Sequence, residues 1–287
     1  MIELDHVSFT YREGKPDAVP ALRDLDLKID SGQFVALIGH NGSGKSTLVK
    51  LLTAVLYPPT AGKVRIDGIS VRHDTRWEVR RRVSVVFQDP DDQLVMNRVA
   101  DDVAFGPENL GLPREEIARR VDFALGAMGL AELADRIIED LSLGQKQRVA
   151  IAGALAMRPR FLILDEPSSL LPVSAAVGLI EAARELNQHE GMGVIHVTHS
   201  MVEAALFDRV IVLDAGQVVL DGTPAEVFGH VDRLREIGLD VPLAASLAHR
   251  LRARGVPLEG DILTEADLRA AVAALPRPTA AKREQHG

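Results

Sequence analysis

Cysteine is absent from the 287-residue sequence, so no disulfide framework and no thiolate metal site can form. An excess of basic charge is missing too: 33 Lys and Arg face 41 Asp and Glu, a formal charge of −8, with an isoelectric point near 5.6. Such a field repels polyanions and argues against broad binding of nucleic acid or anionic lipid. No apolar run approaches the roughly 18 residues that span a bilayer. The opening Met1-Ile2-Glu3-Leu4-Asp5 has neither the basic region nor the apolar core of a signal peptide, so any membrane association is expected to come through a partner. No internal repeat is visible. What is there is 46% hydrophobic content, ample for one large core and a small appendage.

Short β-branched runs alternate with helical stretches, the rhythm of an α/β fold with a mainly parallel sheet. Residues 2–11 and 22–29 read as strands around a polar loop, an antiparallel sheet ahead of the main one. Main-sheet strands are expected at 34–38, 83–87, 161–164, 194–198 and 210–213, a helix over 47–54, and a mostly helical stretch over 113–157. Past Gly222-Thr223-Pro224 the pattern changes to short amphipathic helices ending near residue 275. The polar, proline-bearing residues 276–287 read as a disordered tail.

The strongest motif is Gly39-His40-Asn41-Gly42-Ser43-Gly44-Lys45-Ser46, followed by Thr47, which fits the G-x-x-x-x-G-K-[ST] phosphate loop between a strand and a helix. Glycines let the backbone fold into a nest of N–H donors, and the helix N-terminus adds partial positive charge. Lys45 is expected to reach the β- and γ-phosphates of ATP, and the Ser46 hydroxyl to ligate Mg²⁺. A second, acidic element follows in Phe161-Leu162-Ile163-Leu164-Asp165-Glu166-Pro167. Asp165 is expected to hold Mg²⁺ and Glu166 to polarise the attacking water as general base, which favours hydrolysis over transfer.

Between these motifs stands Leu141-Ser142-Leu143-Gly144-Gln145-Lys146-Gln147-Arg148, close to L-S-G-G-Q-x-Q-R, and with it the chain resembles the ABC ATPases over nearly its whole length. The resemblance implies a P-loop NTPase cassette with an antiparallel β subdomain and a helical subdomain. It also implies a second ATPase subunit paired head to tail, so that Ser142, Gly144 and Gln145 cap ATP bound by the partner. The helix expected from about residue 145 would aim its N-terminus across that interface. Gln88 matches the glutamine that contacts Mg²⁺ and water, His199 the histidine at the γ-phosphate, and Tyr11 the aromatic that stacks on adenine. His196, inside a strand, reads as a packed core histidine.

Val86-Phe87-Gln88-Asp89-Pro90-Asp91-Asp92-Gln93 and Asp101-Asp102-Val103-Ala104-Phe105-Gly106-Pro107-Glu108-Asn109 are similar to the ATPases of energy-coupling-factor importers of vitamins and transition-metal ions, cobalt among them. Ile237-Gly238-Leu239-Asp240-Val241-Pro242 and Asp261-Ile262-Leu263-Thr264 resemble their C-terminal pairing extension. The implied organisation is a cassette over 1–225, with its helical subdomain at about 89–158, an α-rich extension over 226–275 and the tail. The implied partners are the second ATPase, a transmembrane coupling protein and a substrate-binding membrane protein, with no nucleic acid. The chain would then lie peripherally on the cytoplasmic face of the cell membrane. Leu94, Val95, Met96 and Val99 are expected to receive the coupling protein.

Three positions depart from the family pattern. Leu143 stands at the first signature glycine and would cost about 1–2 kcal/mol if a left-handed backbone were needed there. Pro172 stands where an aspartate is usual, removing a carboxylate and a backbone donor. Met96-Asn97-Arg98 replaces small residues and a threonine in the coupling region. Leu143 and Pro172 both serve the partner's site, so an asymmetric pair is expected, with this chain's own site the competent one. The competing readings are a DNA-repair type ATPase, against which stand the short spacing between motifs and the missing basic face, and a regulatory ATP-binding module with little turnover.

Overall fold

The structure is a computed structural model that describes residues 1–275. The chain runs through β1 (Ile2–Tyr11), β2 (Val19–Ile29), β3 (Phe34–Ile38), α1 (Lys45–Leu52), β4 (Ala61–Ile66), β5 (Ile69–Ser70), α2 (Arg76–Arg80) and β6 (Val83–Val86). It continues through α3 (Val99–Asn109), α4 (Arg114–Ala127), α5 (Leu143–Ala156), β7 (Phe161–Asp165), α6 (Val173–Glu190), β8 (Gly193–Val197), α7 (Met201–Ala204), β9 (Arg209–Asp214) and β10 (Gln217–Gly222). Four helices close it: α8 (Pro224–Gly229), α9 (Val231–Glu236), α10 (Leu243–Ala253) and α11 (Glu265–Ala273).

A six-stranded sheet has the order β10-β9-β3-β8-β7-β6, all parallel except β10. A four-stranded antiparallel sheet has the order β2-β1-β4-β5. Parallel strands buried on both faces need continuous apolar runs, and β3 and β8 are buried at every position. The two-residue period then sorts the side chains. Val35, Leu37, Ile163, Ile195 and Ile211 join α1 and the antiparallel sheet in one core. Phe34, Ala36, Leu162, Leu164 and Val194 join α3 to α6 in the other. Val227, Phe228, Val231 and Leu234 belong to that second core, whereas a separate small cluster of Ala244, Ala248, Leu258 and Ile262 ties α10 to α11. Among the described residues no helix is long and apolar enough to cross a membrane.

Both sheets and the expected strands are present, with three further strands that the apolar pattern did not mark. The first half of β4, Ala61-Gly62-Lys63, is exposed, and the strand exists because Val64 and Ile66 pair with Leu4 and Ile2 of β1. β5 and β10 are short partners of β4 and β9 on sheet edges. Two helices start earlier than expected. α1 begins at Lys45 because Gly44 caps it in the left-handed region, φ 108°. α5 begins at Leu143 because Ser142 and Gln145 form a reciprocal capping box. The tail expected at 276–287 lies outside the described residues.

The ring of Phe161 is fully buried at the start of β7, and a Cβ on Gly193 of the neighbouring strand would come within 2.5 Å of it. Phe161→Ala is expected to lower unfolding stability by about 3–5 kcal/mol in chemical denaturation of the purified chain, the usual cost of an emptied aromatic site.

Candidate functional site

In a parallel sheet all carboxyl ends lie on one edge, and there β3 passes into α1 through residues 39–44. No side chain fits at Gly39, where a Cβ would stand 2.4 Å from the Leu213 carbonyl oxygen and 2.5 Å from Ser43 Oγ. The loop closes through Ser43 N donating to His40 O at 3.1 Å. The Lys45 amine folds inside, donating to Gly39 O at 2.7 Å and His40 O at 3.1 Å. Burial pushes the Lys45 pKa down, and the nearby charges of Glu166 and Asp165 work against that shift. The first bond into α1 is Leu48 N to Gly44 O at 2.9 Å, so the N–H groups of Lys45, Ser46 and Thr47 precede the intrahelical ladder.

Beside this loop lies an open cavity of about 300 Å³ whose walls include Tyr11, Gly42, Lys45, Ser46, Thr47 and Glu166. The Tyr11 hydroxyl is 3.1 Å from Thr47 Oγ1, and its ring packs edge-on against Phe9. Asn41 lines the same cavity. His40 turns outward, Nε2 to Asp214 Oδ1 at 2.8 Å and Nδ1 to Asn41 O at 2.7 Å, tying the loop to the end of β9. Ser43 Oγ is buried without a partner.

Asp165 ends β7, and burial, with the adjacent Glu166, raises its pKa against the pull of Lys45 and Lys50. Glu166 has φ 52°, a left-handed backbone on a non-glycine residue of the kind that costs about 1–2 kcal/mol. Its N–H donates to Val197 O of β8 at 2.9 Å, which holds the turn. His199 is exposed, and its Nδ1 stands 3.4 Å from Glu166 Oε2. Loop, acidic pair and histidine are thus brought together.

Other residues singled out in the sequence lie elsewhere. Gln88 is exposed beyond β6 and does not line the cavity. Its predecessor is held, with Phe87 N donating to Gln93 Oε1 at 3.0 Å and Gln147 Nε2 donating to Phe87 O at 3.4 Å. Ser142, Gly144 and Gln145 form the start of α5, apart from the cavity. The strain expected at Leu143 is not found: it is the first residue of α5 with no positive φ, and a Cβ on Gly144 would meet only Leu171 Cδ2, at 3.8 Å. Pro172 is the N-cap of α6, where a missing N–H costs the helix nothing.

Of the four apolar residues assigned to partner docking, Val99 is instead fully buried core, while Val95 is 61% exposed. A larger groove of about 450 Å³ opens nearby between Trp77, Arg80, Phe105, Leu110 and Met157. Sequence reasoning did not find it, because α2 and α3 are far apart in the chain. Asp102, also missed, is buried and accepts from Val95 N at 2.8 Å and Met96 N at 2.9 Å. The spacing Val99-x-x-Asp102 at the start of α3 was its sequence cue.

Nucleotide chemistry fits these residues: donors and positive charge line the loop, and Ser46 and Asp165 offer the hard oxygens that Mg²⁺ prefers. The family model for ABC transporter matches residues 22–169. The Energy-coupling factor transporter ATP-binding protein EcfA1 of Caldanaerobacter subterraneus subsp. tengcongensis is 49% identical over 265 residues, covering 92% of this chain and 95% of that protein. Among solved structures, cbiO1 from Clostridium perfringens, part of the ABC transporter complex cbiONQ, has a TM-score of 0.75 at 35% identity and covers 86% of this chain and 98% of its own. The ATP-binding cassette MJ0796, a dimer in a post-hydrolysis state bound to ADP and Pi, has a TM-score of 0.69 at 31% identity and covers 78% and 99%. With half of its length matched by the family model and a relative 49% identical across 92% of it, the chain belongs to the ABC transporter family, among the ATP-binding proteins of energy-coupling factor transporters.

Proposed function

We propose that the cavity beside residues 39–47 holds Mg-ATP and that this chain hydrolyses it to energise an importer of vitamins or transition-metal ions such as cobalt. The observation that carries the reading is the placement of Glu166, strained and 3.4 Å from His199, in the wall of a cavity that Lys45 and the start of α1 also line. Tyr11 offers its ring to the adenine. Lys45 leaves the carbonyls of Gly39 and His40 for the β- and γ-phosphates, and His199 meets the γ-phosphate. Bound Mg²⁺, held by Ser46 and Asp165, would supply Lewis-acid neutralisation of the phosphate oxygens. Glu166 orients the attacking water and takes its proton as the new P–O bond forms and the β-γ bridge breaks.

The capping box at Ser142 and Gln145, with Gly144 between them, presents a helix N-terminus that serves the ATP of a second ATPase subunit. The relatives support pairing and a membrane assembly: MJ0796 is a dimer, and cbiO1 is part of a transporter complex. The cassette spans 1–225 and the extension 226–275 pairs the subunits, with α10 and α11 sharing their own small core. The groove of Trp77 and Phe105, 61% and 40% exposed, receives an apolar segment of the transmembrane coupling protein, which places the chain on the cytoplasmic face of the cell membrane. A separate membrane protein binds the solute. Leu143 and Pro172 alter what this chain offers its mate, so the competent site of the pair is this chain's own.

Three outcomes test these assignments. Lys45→Ala should abolish Mg-ATP binding measured by titration calorimetry. Glu166→Gln should leave binding intact and slow ATP hydrolysis by the assembled transporter by about 10²-fold or more, the usual size of a general-base contribution; undiminished turnover would remove both the base assignment and the asymmetry. Phe105→Asp should leave ATP binding unchanged and lose co-purification with the membrane subunits.

A further inference from the structure

Glu203 lies on the single turn α7, its side chain 14% exposed, and it was not marked by any motif. Its carboxylate gathers three donors from two segments, the turn after β7 and the end of β8. Thr198 Oγ1 and His196 Nε2 each lie 2.9 Å from Oε2, and Ser168 Oγ lies 2.9 and 2.8 Å from the two oxygens. A carboxylate oxygen only accepts, so all three groups donate to it. Burial works to raise the Glu203 pKa, and the hydrogen bonds from His196, Ser168 and Thr198 outweigh it.

The donors are placed in a telling way. Ser168 is two residues beyond Glu166, and Thr198 is the residue before His199. Thr198 Oγ1 also accepts from Ser200 N at 3.0 Å, and Ser200 Oγ accepts from Glu203 N at 3.3 Å, so the histidine is braced on both sides. His196 is fully buried, stacked on Phe207 with ring centroids 5.0 Å apart, and its Nδ1 has no partner. It therefore anchors the carboxylate to β8 and adds nothing at the phosphate cavity. The left-handed turn at Glu166 stores strain that must be held from outside, and Ser169 N and Oγ return to Glu166 O at 3.2 and 2.9 Å on the same stretch.

We propose that Glu203 is a positioning residue for hydrolysis, joining the segment behind Glu166 to the segment carrying His199 and so setting the spacing of that pair. The proposal rests on the roles given above to Glu166 and His199. It makes kcat, and not nucleotide affinity, the quantity that Glu203 controls, because its carboxylate touches neither the phosphate loop nor the cavity wall.

The test is steady-state ATPase kinetics of the complete transporter complex carrying Glu203→Gln, Ser168→Ala or Glu166→Gln, with Mg-ATP affinity and melting temperature measured on each. Gln keeps the shape of Glu203 but removes its charge and leaves one accepting oxygen for the three donors, so kcat should fall about tenfold with KM and affinity within about twofold. Ser168→Ala removes a single donor and should lower kcat about threefold, a readout that stands if Glu203→Gln does not fold. In single turnover, Glu203→Gln added to Glu166→Gln should bring little further loss, as expected of groups acting through one another. Unchanged kcat in both Glu203→Gln and Ser168→Ala, or losses that multiply with those of Glu166→Gln and come with raised KM, would overturn it. A full-speed Glu166→Gln complex would instead strike the role given above to Glu166.

Discussion

The structure depends on one constraint: where β3 ends, the chain must turn into α1 with no side chain at Gly39 and a left-handed backbone at Gly44. That turn leaves the first N–H groups of α1 and the Lys45 amine at one point, a concentration of positive potential in which burial already disfavours the ammonium. The neighbours answer it. Asp165 and Glu166 end β7, His199 follows β8 and Asp214 ends β9, all at the same sheet edge because the four central strands run parallel. A site suited to a nucleotide polyanion is thus assembled from strand ends, and the apolar interiors of those strands keep the ends in register.

Strain and buried polarity occur together at this edge. Glu166 holds a backbone angle that its side chain disfavours, while Ser168, Thr198 and His196 converge on the Glu203 carboxylate behind it. A buried carboxylate without such donors would be costly and would tend to protonate. The network therefore stabilises itself and fixes the loops that flank it.

The remaining features are incomplete within one chain. The helix start at Ser142 is capped by its own side chains and faces no group of its own phosphate cavity. The Lys146 amine, 2.7 Å from Asp91, links that helix to the segment beyond Gln88. Trp77 and Phe105 expose aromatic surface that a single subunit does not cover.

The local chemistry was legible in the sequence because each element is encoded within a few residues: the spacing of Gly39, Gly44 and Lys45, the apolar run ending in Asp165 and Glu166, and the run from Leu141 to Arg148. The α/β class and the antiparallel sheet followed from residue periodicity for the same reason. Pairing partners were not legible. β4 exists through β1, the groove exists through the meeting of α2 with α3, and Val99 turned inward to become core. Glu203 became part of the site because β7, β8 and α7 converge. Periodicity and motif spacing are properties of neighbouring residues, so the sequence by itself determined them; which distant donors share one carboxylate, and which apolar side chains remain uncovered, depends on packing across the sheet and was decided by the tertiary structure alone.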